Sequence, residues 1–340
     1  MKLKKQFDDF YDKIRIREET EELKEKRGIL TDDIVDYFPS ELDSRGIEIN
    51  KSDIEIFDQG SYHYHTTINT EPYDRDVAVA IPLDTGAHDD PREIKKAMRD
   101  ALSKVSARTV SIKEPCVNVA YYENGEEWMH IDLPIYAKRD SNYYLARGKE
   151  NSDSYSWEIA DPHGLNNDLD GYLKDNSQLR RMIRLVKKWR DVQYESSSRD
   201  HEVPPSIGLT YLVCDTYSES LSDGVHDDLQ ELQTIFIGIK QKFSLTYKDN
   251  ELVKADITRY LPVQPYSDIF KRMKDSSDSY GVKFYNRVCT ALSNINNAIN
   301  AGDDHTASDY VRRLFGEEFE LVPKKPTSGS SFSRREHSFG

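Results

Sequence analysis

Asp74 and Asp76 flank Arg75 at the head of an apolar run that continues Val77-Ala78-Val79-Ala80-Ile81. On a strand, residues two apart share a face. The two carboxylates therefore project together, while Arg75, Val77, Val79 and Ile81 face the other way. Paired carboxylates repel unless a cation lies between them, and hard divalent cations such as Mg²⁺ prefer carboxylate oxygen. A third carboxylate, Asp132, stands in a second alternating run over 127–138, with His130 and Pro134 on its face and Ile131, Leu133 and Ile135 opposite. If the two strands adjoin, the three carboxylates make a site for two Mg²⁺, with Mn²⁺ the other candidate. Such a site clamps the attacking and leaving oxygens of phosphoryl or nucleotidyl transfer. Upstream, Gly60 and Ser61 stand where a loop enters a helix, which offers backbone N–H groups and a hydroxyl to a phosphate. Each piece is commonplace alone: a Gly-Ser turn, a solvated strand end, a polar edge. Their order and spacing make the pattern.

The blocks GSYHYHT (60–66), YDRDVAVAIP (73–82) and HIDLPIYAK (130–138) resemble the active-site blocks of the bacterial cGAS/DncV-like nucleotidyltransferases (CD-NTases), within the polymerase-β-like superfamily. The family pattern falls on Gly60, Ser61, Tyr62 and Thr66, then Asp74 and Asp76, then Asp132. The family's second glycine is His65 here, and histidine does not share glycine's full φ range. The resemblance implies an α+β fold, with a polymerase-β-like nucleotidyltransferase lobe built on a mixed sheet and a C-terminal helical lobe. It implies that Asp74 and Asp76 hold both metals, and that Asp132 holds one and accepts the proton of an attacking ribose hydroxyl. Gly60, Ser61 and Thr66 would line the nucleotide, and Lys187, in Lys187-Lys188-Trp189, would reach the donor triphosphate. Ser206, in Pro204-Pro205-Ser206-Ile207, would share that task. The implied activity joins NTPs, ATP or GTP, into a cyclic di- or trinucleotide messenger of anti-phage defence. Other members of the superfamily make linear oligoadenylate or modify a substrate, and this alternative stays open. An E1/E2-like protein conjugating Gly340 is a further implied partner.

The net charge of −14 argues against a protein that coats DNA or RNA by neutralising phosphates. Three scattered cysteines, Cys116, Cys214 and Cys289, fit neither a disulfide framework nor a zinc site. No apolar run is long enough for a membrane span, so a cytoplasmic protein is expected.

The elements that must position these residues follow from periodicity. Residues 3–27 read as an amphipathic helix, and Thr31-Asp32-Asp33 as the cap of another that Pro39 halts. Strands are expected at 52–57, 109–112, 116–121 and 142–146, a helix at 91–107, and a hairpin turn at Asn124-Gly125. From about 157 to 316 the pattern is helical, with segments at 179–192, 206–217, 227–243, 267–273, 279–301 and 306–315. Trp157-Glu158 and Asp161-Pro162 resemble the family's link between lobes. The expected organisation is 1–155 for the nucleotidyltransferase core with its N-terminal helix, 156–320 for the helical lobe, and 321–340 for a flexible tail. On the helix over 179–192, Arg180, Arg181, Arg184, Lys187, Lys188 and Arg190 surround an apolar stripe. That crowding is met either by a bound anion or by a solvated basic face.

Overall fold

The computed structural model describes residues 2–16, 21–70, 72–105, 108–199 and 201–324; Gly340 and most of the expected tail lie outside the described residues. The first half runs α1 (Lys4–Ile14), α2 (Glu21–Asp43), β1 (Glu55–Gln59), α3 (Gly60–His63), β2 (Tyr73–Pro82), α4 (Pro91–Leu102), β3 (Thr109–Ile112) and β4 (Val117–Glu123). The sheet continues through β5 (Glu126–Leu133), β6 (Ile135–Arg139), β7 (Asn142–Gly148) and β8 (Tyr155–Ala160). Next come α5 (Pro162–Leu173), α6 (Ser177–Tyr194), α7 (Ser206–Thr216), β9 (Leu221–Ser222), β10 (Val225–His226) and α8 (Asp228–Gln241). The described chain closes with β11 (Ser244–Lys248), β12 (Glu251–Asp256), α9 (Lys271–Ser276), α10 (Asp278–Asn300) and α11 (Asp304–Phe315).

β2 is the centre of an α+β fold with a mixed sheet. It pairs antiparallel with β1 and parallel with β5 and then β6. Pro134 separates those two strands because it has no N–H to give the ladder, yet its carbonyl accepts the Val79 N–H at 3.0 Å. The remaining strands extend the sheet in the order β3-β4-β5-β2-β6-β7-β8. Alternation divides β2 cleanly. Val77, Val79 and Ile81 join a core with Ile34, Phe38, Ile94 and Met98 of α2 and α4. Asp74, Asp76, Ala78 and Ala80 take the opposite face, where the two alanines meet Tyr136.

Three expectations need correction. The single helix expected over 3–27 ends at Ile14, and α2, which begins at Glu21, neither starts at Thr31 nor stops at Pro39; it runs unbroken through both. Its stripe Leu23, Leu30, Ile34, Phe38 and Leu42 is fully buried, and that burial outweighs the roughly 3 kcal/mol a mid-helix proline costs. The Thr31 hydroxyl turns back to the Arg27 carbonyl at 2.6 Å instead of capping. Second, the helical pattern after 157 hides strands. β8 belongs to the main sheet, and β11–β12 form a hairpin whose Asp249 and Asn250 both take positive φ. Third, the helix expected at 267–273 is a shorter α9 displaced to Lys271–Ser276.

Packing divides the 1–155 span. α2 buries against the sheet side, whereas Phe7, Phe10 and Ile14 of α1 join the helical core with Trp189, Phe236, Phe284 and Phe315. Asp161 caps α5 by accepting the Gly164 N–H at 2.7 Å, with Pro162 at the first helical position, where its missing N–H costs nothing.

Candidate active site

Parallel pairing of β2 and β5 sets Asp74 opposite His130 and Asp76 opposite Asp132. One ligand atom each from Asp74, His130 and Asp132 lies within 4.8 Å of the others. His130 Nε2 is 3.2 Å from Asp74 Oδ1, and its Nδ1 is 2.8 Å from Glu127 Oε1. The Asp74 carboxylate leads in raising the His130 pKa, against the opposing effect of burial. Asp76 is the most enclosed of the three. Burial first, then the charges of Asp74 and Asp132, push its carboxyl up to about 8. Asp132 is held by Asn118 Nδ2 at 2.6 Å, with Lys113 Nζ at 3.6 Å. Strand alternation places His130 on the Asp132 face without assigning it a role. The signal was its spacing, two residues before Asp132 on the same strand.

This donor set fits a hard divalent cation. It is rich in carboxylate oxygen, and the raised Asp76 pKa shows charges gathered without full compensation. Asp74, Asp76 and Asp132 would hold Mg²⁺ or Mn²⁺, with His130 beside them.

Gly60 opens the one-turn α3 with φ +71°, and a Cβ there would lie 2.0 Å from Asp76 Oδ2. The turn and the carboxylate touch. Ser61 Oγ is 3.0 Å from Thr67 Oγ1, and fully buried Thr66 donates its N–H to the Ser61 carbonyl at 2.9 Å. His65 takes φ +53°, so the turn keeps a left-handed residue where glycine was expected, at a cost of about 1–2 kcal/mol. A cavity of about 660 Å³ adjoins this turn, lined by Tyr11, Arg15, Tyr62, His65, Arg75 and Arg184 among others.

The basic helix α6 is neither a solvated face nor a free anion cradle. Arg180, Arg184 and Lys187 lie on one helical face and hold the 64–67 loop by its carbonyls. Arg180 Nε donates to the Tyr64 carbonyl at 3.2 Å and Arg184 Nε to that of Thr67 at 3.0 Å. Lys187 Nζ donates to the carbonyl and hydroxyl of Thr66 at 3.3 and 3.2 Å. Lys187 is only 5% exposed, and burial, followed by Arg190 and Arg184, pulls its pKa to about 7. Its ammonium thus stands under the Ser61 turn. Ser206 begins α7, which packs on α6, and among the described residues no hydrogen bond joins its hydroxyl to Ser61, Lys187 or the carboxylates. On the expectation that Lys187 reaches the donor triphosphate, Lys187→Met should raise the KM for NTP about ten-fold, the loss of one charge-assisted phosphate contact of roughly 1.5–3 kcal/mol. Initial rates against NTP concentration check this, and an unchanged KM removes Lys187 from the phosphate site.

Residues 54–136 match the family described as cyclic GMP-AMP synthase DncV-like, nucleotidyltransferase domain. That span contains Gly60, Ser61, Thr66, Asp74, Asp76 and Asp132. The chain carries a cGAS/DncV-like nucleotidyltransferase domain. A curated Escherichia albertii protein named cyclic GMP-AMP synthase is 27% identical over 174 residues, covering 47% of this chain and 37% of that relative's length. Vibrio cholerae DncV cyclic AMP-GMP synthase, solved with the linear intermediate 5′ pppA(3′,5′)pG, superposes with a TM-score of 0.66 at 16% identity, covering 94% of this chain and 99% of that one. CdnC of E. coli MS115-1 with ATP gives 0.65 at 17% identity, covering 93% and 98%. The nucleotidyltransferase domain and the helices behind it therefore share one fold with these structures.

Proposed function

We propose that this nucleotidyltransferase joins NTPs, ATP or GTP, into a cyclic di- or trinucleotide messenger for anti-phage defence. The observation that carries the proposal is the register of β2 and β5, which sets Asp74 and Asp76 beside Asp132, against the Gly60–Ser61 turn. Ser61 and the N–H groups of its turn would receive the donor's terminal phosphates. Lys187 beneath Thr66 would add positive charge there, with Ser206 the second candidate from the helices. Divalent cations held by the three carboxylates would supply Lewis-acid stabilisation of the transferring phosphoryl group. Asp132, oriented by Asn118, would accept the proton of the attacking ribose hydroxyl. The names of the relatives support the cyclic product: cyclic GMP-AMP synthase in E. albertii and cyclic AMP-GMP synthase in V. cholerae.

A cytoplasmic setting accords with the finding that, among the described residues, no helix is long and apolar enough to cross a membrane. E. coli CdnC has been solved in a complex with HORMA-deltaN, which supports a protein partner here as well. Conjugation of Gly340 by an E1/E2-like protein belongs to the same proposal, on the sequence resemblance alone.

The deciding experiment incubates the protein with four NTPs and Mg²⁺, then measures pyrophosphate, product mass and phosphatase resistance. A phosphatase-resistant oligonucleotide is expected. A linear, phosphatase-sensitive product favours an oligoadenylate synthase, and absence of pyrophosphate release overturns the nucleotidyl-transfer reading.

A further inference from the structure

Lys95 lies on α4, on the helix-covered side of the sheet, and its side chain is wholly shielded from solvent. Its Nζ donates to three carbonyls: Lys113 at 2.6 Å, Glu114 at 2.8 Å and Gly148 at 2.8 Å. Among the described residues no carboxylate comes within ion-pair distance of it. Burial pulls its pKa down to about 8. A buried charge without a counter-ion is costly, and filling this space would need only an apolar side chain. A lysine here therefore serves something other than filling the core.

The three carbonyls share one feature. They join the corner between β3 and β4, residues 113–116, to the end of β7. The corner is already tight, with Lys113 N–H to the Cys116 carbonyl at 3.0 Å and Gly148 N–H to that of Glu114 at 2.9 Å. Two of the groups around Asp132 hang from this corner. Lys113 Nζ stands 3.6 Å from Asp132 Oδ1, and the buried Cys116 thiol lies on the same corner, where burial first and then the charge of Asp132 raise its pKa. Asn118, the third, follows two residues later on β4. Glu114 meanwhile pairs with Arg147 and, from the helical half, with Arg272 of α9 at 3.2 Å. One ammonium thus ties down the corner that orients a carboxylate of the proposed metal site.

We propose that Lys95 is a positioning residue that fixes Asp132 for divalent-cation binding through the 113–116 corner. Without its three N–H donors the carbonyls must find other partners, and the corner moves to reach them. Lys113 and Cys116 move with it, and Asp132 loses its preset orientation. The kinetic part of this inference rests on the nucleotidyl-transfer reading; the metal-binding part does not.

The test is Lys95→Met, which keeps an unbranched side chain and removes the donors. Mn²⁺ is titrated into the wild type, the variant and an Asp132→Asn control, with free Mn²⁺ read by electron paramagnetic resonance. Lys95→Met is expected to weaken Mn²⁺ binding by about three-fold or more, below the roughly 10–100-fold that follows loss of a direct outer partner of a metal ligand. It should also lower kcat while leaving the KM for NTP at saturating Mn²⁺ within about two-fold, because the phosphate-binding turn is not attached to this corner. A folded Lys95→Met protein with a lower melting temperature but wild-type Mn²⁺ affinity overturns the proposal, since that is what a purely structural lysine gives. If Lys95→Met does not fold, Cys116→Ala, one step nearer Asp132, carries the test. It should weaken Mn²⁺ binding by about three-fold or more, and an unchanged affinity overturns the route through the corner. A wild type that releases no pyrophosphate sinks the proposed reaction, while the Mn²⁺ titrations still judge Lys95.

Discussion

Asp76→Asn is expected to abolish nucleotide product while raising the melting temperature of the metal-free protein. Asp76 sits between two other carboxylates under the Gly60 turn, and its carboxyl is held at about 8 against about 3.9 in an unfolded chain. The folded state therefore keeps a proton that the unfolded state releases. In EDTA, stability is full below about pH 4 and falls as pH rises towards about 8. Asparagine carries no titrating group, so the variant should lose that slope and gain on the order of a few kcal/mol at neutral pH. Mg²⁺ should stabilise the wild type and leave Asp76→Asn nearly unmoved, because a ligand stabilises only the form that binds it. Thermal melting in EDTA and in Mg²⁺ between pH 5 and 8, beside a pyrophosphate assay, measures all of this. Wild-type turnover in the variant would remove Asp76 from the catalytic site.

Gly60→Ala should be nearly as damaging by a different route. The residue combines φ +71° with an approach that would put a Cβ 2.0 Å from Asp76 Oδ2 and 2.9 Å from its Cγ. Left-handed strain costs about 1–2 kcal/mol, and forcing atoms into a filled site adds roughly 1–3 kcal/mol. The melting temperature should fall on the order of 5–15 °C. Activity should fall by about 10²-fold or more, the usual result of displacing a reacting group by an ångström. Gly125→Ala is the control. Gly125 has φ +86° but open space where its Cβ would go, so it carries the strain without the collision. Equal losses in the two variants would show that contact with Asp76 does not matter.

The shared face of Asp74 and Asp76 was legible because strand alternation has a period of two, and a run from Val77 to Ile81 leaves little doubt about the strand. That Asp132 would stand beside them followed once two strands were assumed neighbours, and β2–β5 pairing supplies the adjacency. What escaped was whatever depends on tertiary burial. Pro39 and Thr31 look like a stop and a start, yet the stripe from Leu23 to Leu42 overrides both. β8, β11 and β12 are short strands beside helices, where short apolar runs do not distinguish the two states. Six cations on one helix pointed to a bound anion or a solvated face. Arg181, Lys188 and Arg190 pair with carboxylates, while Arg180, Arg184 and Lys187 bond backbone carbonyls of the 64–67 loop, which leave no compositional trace. Lys95 was invisible for the same reason.

The packing of α1 has a consequence for how the chain is made. Phe7 lies 5.2 Å from Phe319 and Phe10 lies 5.0 Å from Phe315, ring centre to ring centre. Phe7 and Phe10 leave the ribosome roughly 300 residues before those partners, an interval of about 15–60 s at ordinary elongation rates of about 5–20 residues per second. α6 covers part of the α1 apolar face earlier, but until Phe315 and Phe319 emerge the rest lacks its native cover, a surface of the kind that chaperones hold and proteases sample. The helical half is thus sealed by its most distant pair of segments, and a messenger cut short before codon 315 yields a polypeptide whose N-terminal aromatic rings never find their seat.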